Sequence, residues 1–199
     1  MMNKFAILAL LILMSPMQNS QKKEETAIFA GGCFWCTEAI FKNLKGVYSV
    51  VPGYTGGQRK NPTYEQVVTG ATGHAEAVKI VFNPDEIGYE ELLEIFFATH
   101  DPTSLNRQGN DIGTQYRSAI FYTNPQQKER AEAYVKFLEQ EGVFDNPIVT
   151  EIVPATEFYE AEDYHKNYLE NHPENPYCQF VILPKLEKFK KFYKNKLKK

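Results

Sequence analysis

The sequence predicts a single domain of mixed α and β structure. Three observations predict it: strand-like and helix-like segments intermix along the chain, no internal repeat or second composition zone divides it, and 199 residues suit one core of ordinary size. Apolar residues make up 43% and charged residues 24%, the balance of a globular chain rather than a disordered one.

Thr26–Ala30 reads as a short buried strand running into Gly31-Gly32, and Cys33–Leu44 then reads as a helix. Val47–Val51 suggests a second strand, stopped by the turn-rich P-G-Y-T-G-G, and Ala75–Phe82 alternates as a third until Asn83-Pro84 breaks it. Tyr89–Thr99 spaces Leu92, Leu93, Ile95, Phe96 and Phe97 as an amphipathic helix packed on that sheet. From His100 to Gln115 the chain is polar and without a period, and a loop that long in a compact domain points to function. Tyr116–Tyr122 is strand-like, Gln126–Gln140 helical behind Pro125, and Ile148–Val153 strand-like again. A basic helix is expected from Lys185 onward, where the last fifteen residues carry eight lysines against one Glu.

Residues 1–20 read apart from this domain. Lys4, the apolar run Phe5–Met14 and the polar stretch after it have the layout of a secretory signal, and the run is too short to span a bilayer. The expectation is a signal peptide over 1–20 and the domain over 21–199, exported to the periplasm or cell envelope. An uncleaved membrane anchor and a buried helix are the competing readings. Ser20 is a candidate cleavage residue, although the small-x-small pattern before it is poor. All four methionines fall inside this leader and all three cysteines outside it. A net charge of -3 offers no general basic field for a polyanion, so nucleic acid is not an expected partner.

Cys33 follows two glycines at the predicted start of a helix, where free N–H groups and the helix dipole favour a thiolate. A nucleophile and a buried structural cysteine are equally good readings of that thiol alone. Cys36 lies three residues on, on nearly the same helix face, so a dithiol switch is within geometric reach. Zinc sites use the same C-x-x-C spacing, but Cys178 and the scattered His74, His100, His165 and His172 supply no second closely spaced pair. Phe34 and Trp35 could line an apolar cup for a substrate or simply pack the core.

In order along the chain, GGCFWCTEAIF, GYTGG, NPTYEQV, TGHAEAV, GNDIGTQYRSAIFY and AEDYHKNY resemble the A-type peptide methionine sulfoxide reductases over Ala27 to about Leu183. The resemblance implies a two-layer α/β sandwich of ferredoxin-like topology with a mixed sheet. It also implies reduction of methionine S-sulfoxide, protein-bound or free, by a monomer with no bound cofactor or metal. Cys33 is then the nucleophile, Glu76 the acid, Tyr64 and Tyr116 hydroxyl donors, Asp111 a positioning residue, and Phe34 with Trp35 the methyl pocket. His165 matches a family histidine, with a surface or structural role equally open.

Burial within the apolar strand A-E-A-V-K-I-V-F would keep Glu76 protonated for that part, although an exposed strand carboxylate is the better reading of the residues without the resemblance. Sulfoxide reduction leaves a sulfenic acid that a second thiol can condense with, and a thioredoxin-like dithiol would then recycle the disulfide. Many relatives carry Gly at the position of Cys36 and recycling cysteines in a glycine-rich tail. This chain instead offers two resolving candidates: Cys36, favoured by proximity, and Cys178, on a Pro-flanked segment read as mobile. A thiol–disulfide oxidoreductase using Cys33 and Cys36 directly is the alternative.

Overall fold

A computed structural model of the chain describes residues 23–198. The expected leader over 1–20 lies outside the described residues. The main sheet runs in the order β7-β6-β1-β3-β2-β8, built from β1 (Glu25–Gly31), β2 (Val47–Thr55), β3 (Ala75–Phe82), β6 (Ser118–Tyr122), β7 (Glu151–Pro154) and β8 (Tyr159–Glu160). Its heart, β6-β1-β3-β2, is antiparallel throughout, with α1 (Phe34–Phe41) joining β1 to β2 and α3 (Tyr89–Thr99) lying between β3 and β6. This is the expected ferredoxin-like sandwich, and the parallel pairing of β7 with β6 makes the sheet mixed.

Strand alternation sorts the two faces. Phe29, Val78, Ile80, Phe82 and Ile120 face the helical layer, where they join Phe34, Ile40 and Phe41 of α1 and Leu92, Leu93 and Phe96 of α3. Phe29 stacks on Phe96 at 4.9 Å between ring centroids, and burying each such ring contributes about 2 kcal/mol. The opposite face is smaller, with Ile28, Ala30, Ala75, Ala77, Ala119 and Phe121 under Val153, Ala155 and Phe158.

Several boundaries differ from the sequence reading. β2 continues through Pro52–Thr55, read as turn, because Gly53 and Tyr54 pair with β3 on one side and β8 on the other. The chain turns only at Gly56, with φ +81°. The loop after α3 contains a hairpin, β4 (Arg107–Gln108) with β5 (Asp111–Ile112), closed by Gly109-Asn110. Gly-Asn is a two-residue hairpin signal, legible but too short to show periodicity. Tyr116 sits in a 3-10 turn (Thr114–Tyr116) rather than in the strand.

The other helices are α2 (Tyr64–Val67), α4 (Pro125–Gln140), α5 (Tyr168–Asn171) and α6 (Leu183–Phe192). A wide helical turn, Cys178–Ile182, runs straight into α6, so the basic helix starts before Lys185. The lysine-rich end is tied down: Lys45 N donates to Lys196 O at 2.8 Å, Lys198 N to Asn43 O at 2.9 Å, and Lys196 pairs with Glu91. Among the described residues no helix is long and apolar enough to cross a membrane.

Candidate active site

The backbone turns sharply from β1 into α1. Gly32 adopts φ +92°, and a Cβ there would stand 2.6 Å from the Gln108 side chain, so glycine is required twice over. Cys33 is the N-cap of α1, only 7% exposed, and its carbonyl accepts the Cys36 N–H at 3.2 Å. The first turn of a helix has N–H groups without intrahelical partners. One of them, Phe34 N, donates to Glu76 Oε2 at 3.1 Å.

Glu76 reaches that position through the alternation of β3, which turns it to the same face as Val78, Ile80 and Phe82, opposite Tyr54 of β2. It is 1% exposed, and burial pushes its carboxyl up to about 8. It is therefore a protonated acid at neutral pH.

A cavity of about 190 Å³ is lined by Cys33, Phe34, Trp35, Tyr64, Glu76, Asp111, Tyr116 and Tyr177. Seven of these are residues singled out from sequence, now brought together from α1, α2, β3, β5 and the 3-10 turn. Burial raises the Tyr64 and Tyr116 hydroxyls, so both are neutral donors. Asp111 does not face the cavity unpaired, since Tyr177 OH donates to its Oδ2 at 2.6 Å.

The aromatic wall is braced from behind. Trp35 stacks on Tyr168 at 3.6 Å and 4°, an arrangement contributing about 1 kcal/mol beyond area burial. Its indole N–H donates to His165 Nδ1 at 3.1 Å. That bond leaves the imidazole proton on Nε2, which makes no hydrogen bond and stands 4.0 Å from Glu162 Oε2. Burial lowers the His165 pKa, so the ring is a neutral strut and not a second acid. Glu162 accepts from Tyr54 OH at 2.8 Å and from Tyr64 N at 2.9 Å, which sets Tyr64 in place.

Sequence reasoning missed Tyr177, Tyr168 and Glu162 as site residues. The last two fall in the AEDYHKNY block, where position was the available signal; Tyr177 stands next to Cys178, which drew attention instead.

The thiols differ from the expectation that the helix start holds Cys33 as the thiolate. Burial, above all, drives Cys33 well above its ordinary value. The neighbouring Cys33 holds Cys36 down to about 7, with Lys185 adding to the effect. Water exclusion at Cys33 thus works against the helix-start effect at that thiol, and the two sulfurs titrate as a pair. Tyr177 OH lies 3.9 Å from Cys36 Sγ, but its single proton goes to the nearer and stronger acceptor, Asp111.

Cys178 is not on a mobile segment. It begins the turn before α6, is 0% exposed within the main core, and burial raises its thiol. It lines neither the cavity described above nor the one that holds Cys36. All three cysteines are unpaired. Among the described residues no cluster of three or more His, Cys, Asp or Glu could hold a metal ion.

Two thiols in one helical turn beside a protonated carboxyl and two neutral phenols define a thiol-dependent oxidoreductase. A family model described as peptide methionine sulfoxide reductase matches residues 25–197, and the chain belongs to that family. Peptide methionine sulfoxide reductase MsrA of Deinococcus radiodurans is 55% identical over 175 residues, 88% of this chain and 85% of that protein. Methionine sulfoxide reductase A of Corynebacterium diphtheriae aligns with TM-score 0.69 and 40% identity over 78% of both chains. The reduced form of Mxr1 from Saccharomyces cerevisiae aligns with TM-score 0.72 and 33% identity, over 78% of this chain and 90% of that one.

Proposed function

We propose that the chain reduces methionine S-sulfoxide, in proteins and as the free amino acid, with Cys33 as nucleophile. The observation that carries this is the single cavity in which Cys33 meets Glu76, two phenols and the Phe34-Trp35 wall. The methyl group of the substrate takes the apolar wall, and the sulfoxide oxygen accepts hydrogen bonds from Glu76, Tyr64 and Tyr116.

Cys33 passes its proton to the Cys36 thiolate and attacks the sulfoxide sulfur, while Glu76 protonates the departing oxygen. The sulfur–oxygen bond of the substrate breaks as its hydroxyl passes to Cys33 Sγ, the transient bond between the two sulfurs breaks with it, and methionine leaves, reduced by two electrons, with Cys33 left as the sulfenic acid. Cys36 returns its proton to the carboxyl, directly or through water, and attacks Cys33. The Cys33–Cys36 disulfide forms and the hydroxyl departs as water by taking that proton from Glu76, which regains one from solvent before the next turnover. Cys36 resolves, because it lies one turn away on the same helix and lines a cavity together with Cys33, whereas Cys178 lines neither cavity that Cys33 reaches.

An external thioredoxin-like dithiol restores both thiols. The leader over residues 1–20 supports delivery to the periplasm or cell envelope, where such a dithiol must also be supplied. N-terminal sequencing of protein recovered from the envelope fraction tests that part.

Activity on resolved S and R sulfoxides, with dithiothreitol as reductant, tests the reaction. Wild type should release methionine from the S epimer only, and Cys33→Ser from neither. Release by Cys33→Ser at the wild-type rate would overturn the assignment.

A further inference from the structure

Cys33 stands between two openings, and only one of them leads to the sulfoxide cavity. A second cavity, of about 320 Å³, is lined by Cys33 and Cys36 together with Gln108, Gly109, Phe180, Val181 and Lys185, among others. Tyr177 and Asp111 belong to both linings, so their 2.6 Å hydrogen bond forms the partition between the two. Cys36 lines the second cavity and not the first.

The second opening has an apolar rim that the fold itself does not cover. Phe180 is 81% exposed and Val181 37%. Through Gln108 and Lys185, which line both, this opening adjoins a groove of about 760 Å³ between the end of α3 and α6, with Lys188, Phe189 and the 70% exposed Phe192 along it. Large apolar side chains at such exposure, beside lysines and over a reactive sulfur, are the makings of a protein-docking surface. A small thiol needs no such rim.

We propose that the thioredoxin-like reductant docks on this second face, over Phe180, Val181 and Lys185, and attacks Cys36 while the sulfoxide uses the other opening. The occupant is a small protein with an exposed reactive thiol in an apolar patch, and acidic side chains to meet Lys185 and Lys188. Its thiolate attacks Cys36 Sγ of the Cys33–Cys36 disulfide, forming a mixed disulfide at Cys36 and releasing Cys33 as the thiolate. Its second thiol then attacks the mixed disulfide and frees Cys36. The partner dithiol is oxidised by two electrons, and its two thiol protons balance the two thiols restored on this chain. This inference rests on the reading that Cys36 resolves the sulfenic acid.

Phe180→Asp and, separately, Lys188→Glu test it, neither residue lining the sulfoxide cavity. With a purified bacterial thioredoxin as reductant, KM for thioredoxin should rise tenfold or more in Phe180→Asp. In Lys188→Glu it should rise several-fold and lose its salt dependence. Turnover with dithiothreitol and single-turnover methionine release should stay within twofold of wild type. Unchanged thioredoxin KM in both variants overturns the docking surface.

A thioredoxin lacking its own resolving cysteine supplies the second measurement, independent of variant folding. Mixed with the oxidised wild-type enzyme, it should be trapped on Cys36, and trapping on Cys33 or Cys178 overturns the direction of attack. Separately, thioredoxin-supported turnover by Cys36→Ser at the wild-type rate would overturn the underlying resolving role, whichever face the partner uses.

Discussion

The amide of Phe34 is hydrogen-bonded to the Glu76 carboxyl at 3.1 Å, joining the residue after the proposed nucleophile, Cys33, to its proposed acid. The bond spans 42 positions of sequence and fixes two reactive groups in one geometry. It also ties a helix start to the edge of a strand, so that the acid cannot drift without the first turn of α1.

Glu76→Gln should slow single-turnover methionine release at neutral pH by about 10²–10⁴-fold, the usual contribution of a positioned acid. The amide keeps the acceptor for Phe34 N–H and loses the transferable proton. A variant within threefold of wild type would remove Glu76 from the proton path.

The pH profile of single turnover should be bell-shaped. The dithiol reaches its charged form above about 7, and Glu76 keeps its proton below about 8, so the optimum lies between them. Glu76→Gln should abolish the alkaline limb and leave the acid limb in place. Stability carries the same signature: a carboxyl raised from 4.5 to about 8 favours the folded state at low pH and loses that advantage as pH climbs through the interval. Each pH unit climbed within that interval costs about 1.4 kcal/mol, and denaturant titrations at several pH values should show the dependence shrinking in Glu76→Gln.

Ultraviolet thiolate absorbance against pH should show a first midpoint near 7 in wild type. In Cys36→Ser that midpoint should move up, because the thiol left behind is the one burial disfavours. An unmoved midpoint would place the charge on Cys33 instead.

Cys178→Ala should keep recycling and forfeit stability. With one equivalent of sulfoxide and no reductant, peptide mapping should find a Cys33–Cys36 disulfide, while denaturation shows a loss of about 1 kcal/mol from a sulfur removed from a closed core. A persistent Cys33 sulfenic acid would hand the resolving role to Cys178.

Trp35→Phe should preserve stacking on Tyr168 but leave His165 Nδ1 without its donor. The expected outcome is about 1 kcal/mol less stability and a raised KM for the sulfoxide with kcat little changed. A fall in kcat at constant KM would argue that the indole acts on the reacting atoms.

Much of the site was legible because its central pieces are local. The two glycines before Cys33 mark the strand-to-helix turn, while the strand around Glu76 reads equally as carrying an exposed carboxylate, so its place in the site rested on the resemblance. β2 beyond Val51 was not legible, since P-G-Y-T spells a turn, and only its pairing with β3 and β8 holds it extended. Tyr177 was hidden for a related reason. Its hydroxyl meets Asp111 across 66 positions, and one tyrosine among twelve carries no periodic or capping signal of that contact. The rise of the Cys33 thiol was invisible as well, because the helix dipole can be read from sequence but the water excluded around Cys33 cannot.

The bracing of the aromatic wall has a consequence for how the protein is made. Trp35 leans on His165, Tyr168 and Tyr177, and the α1–β2 link is clamped by Lys196 and Lys198. During synthesis none of these partners exists until well over a hundred further residues have emerged, and contacts of such separation form late. The nascent chain therefore carries an unfinished workshop: Cys33 and Cys36 stay accessible to oxidants, and to chaperones, until the final fifth of the polypeptide arrives to close around them.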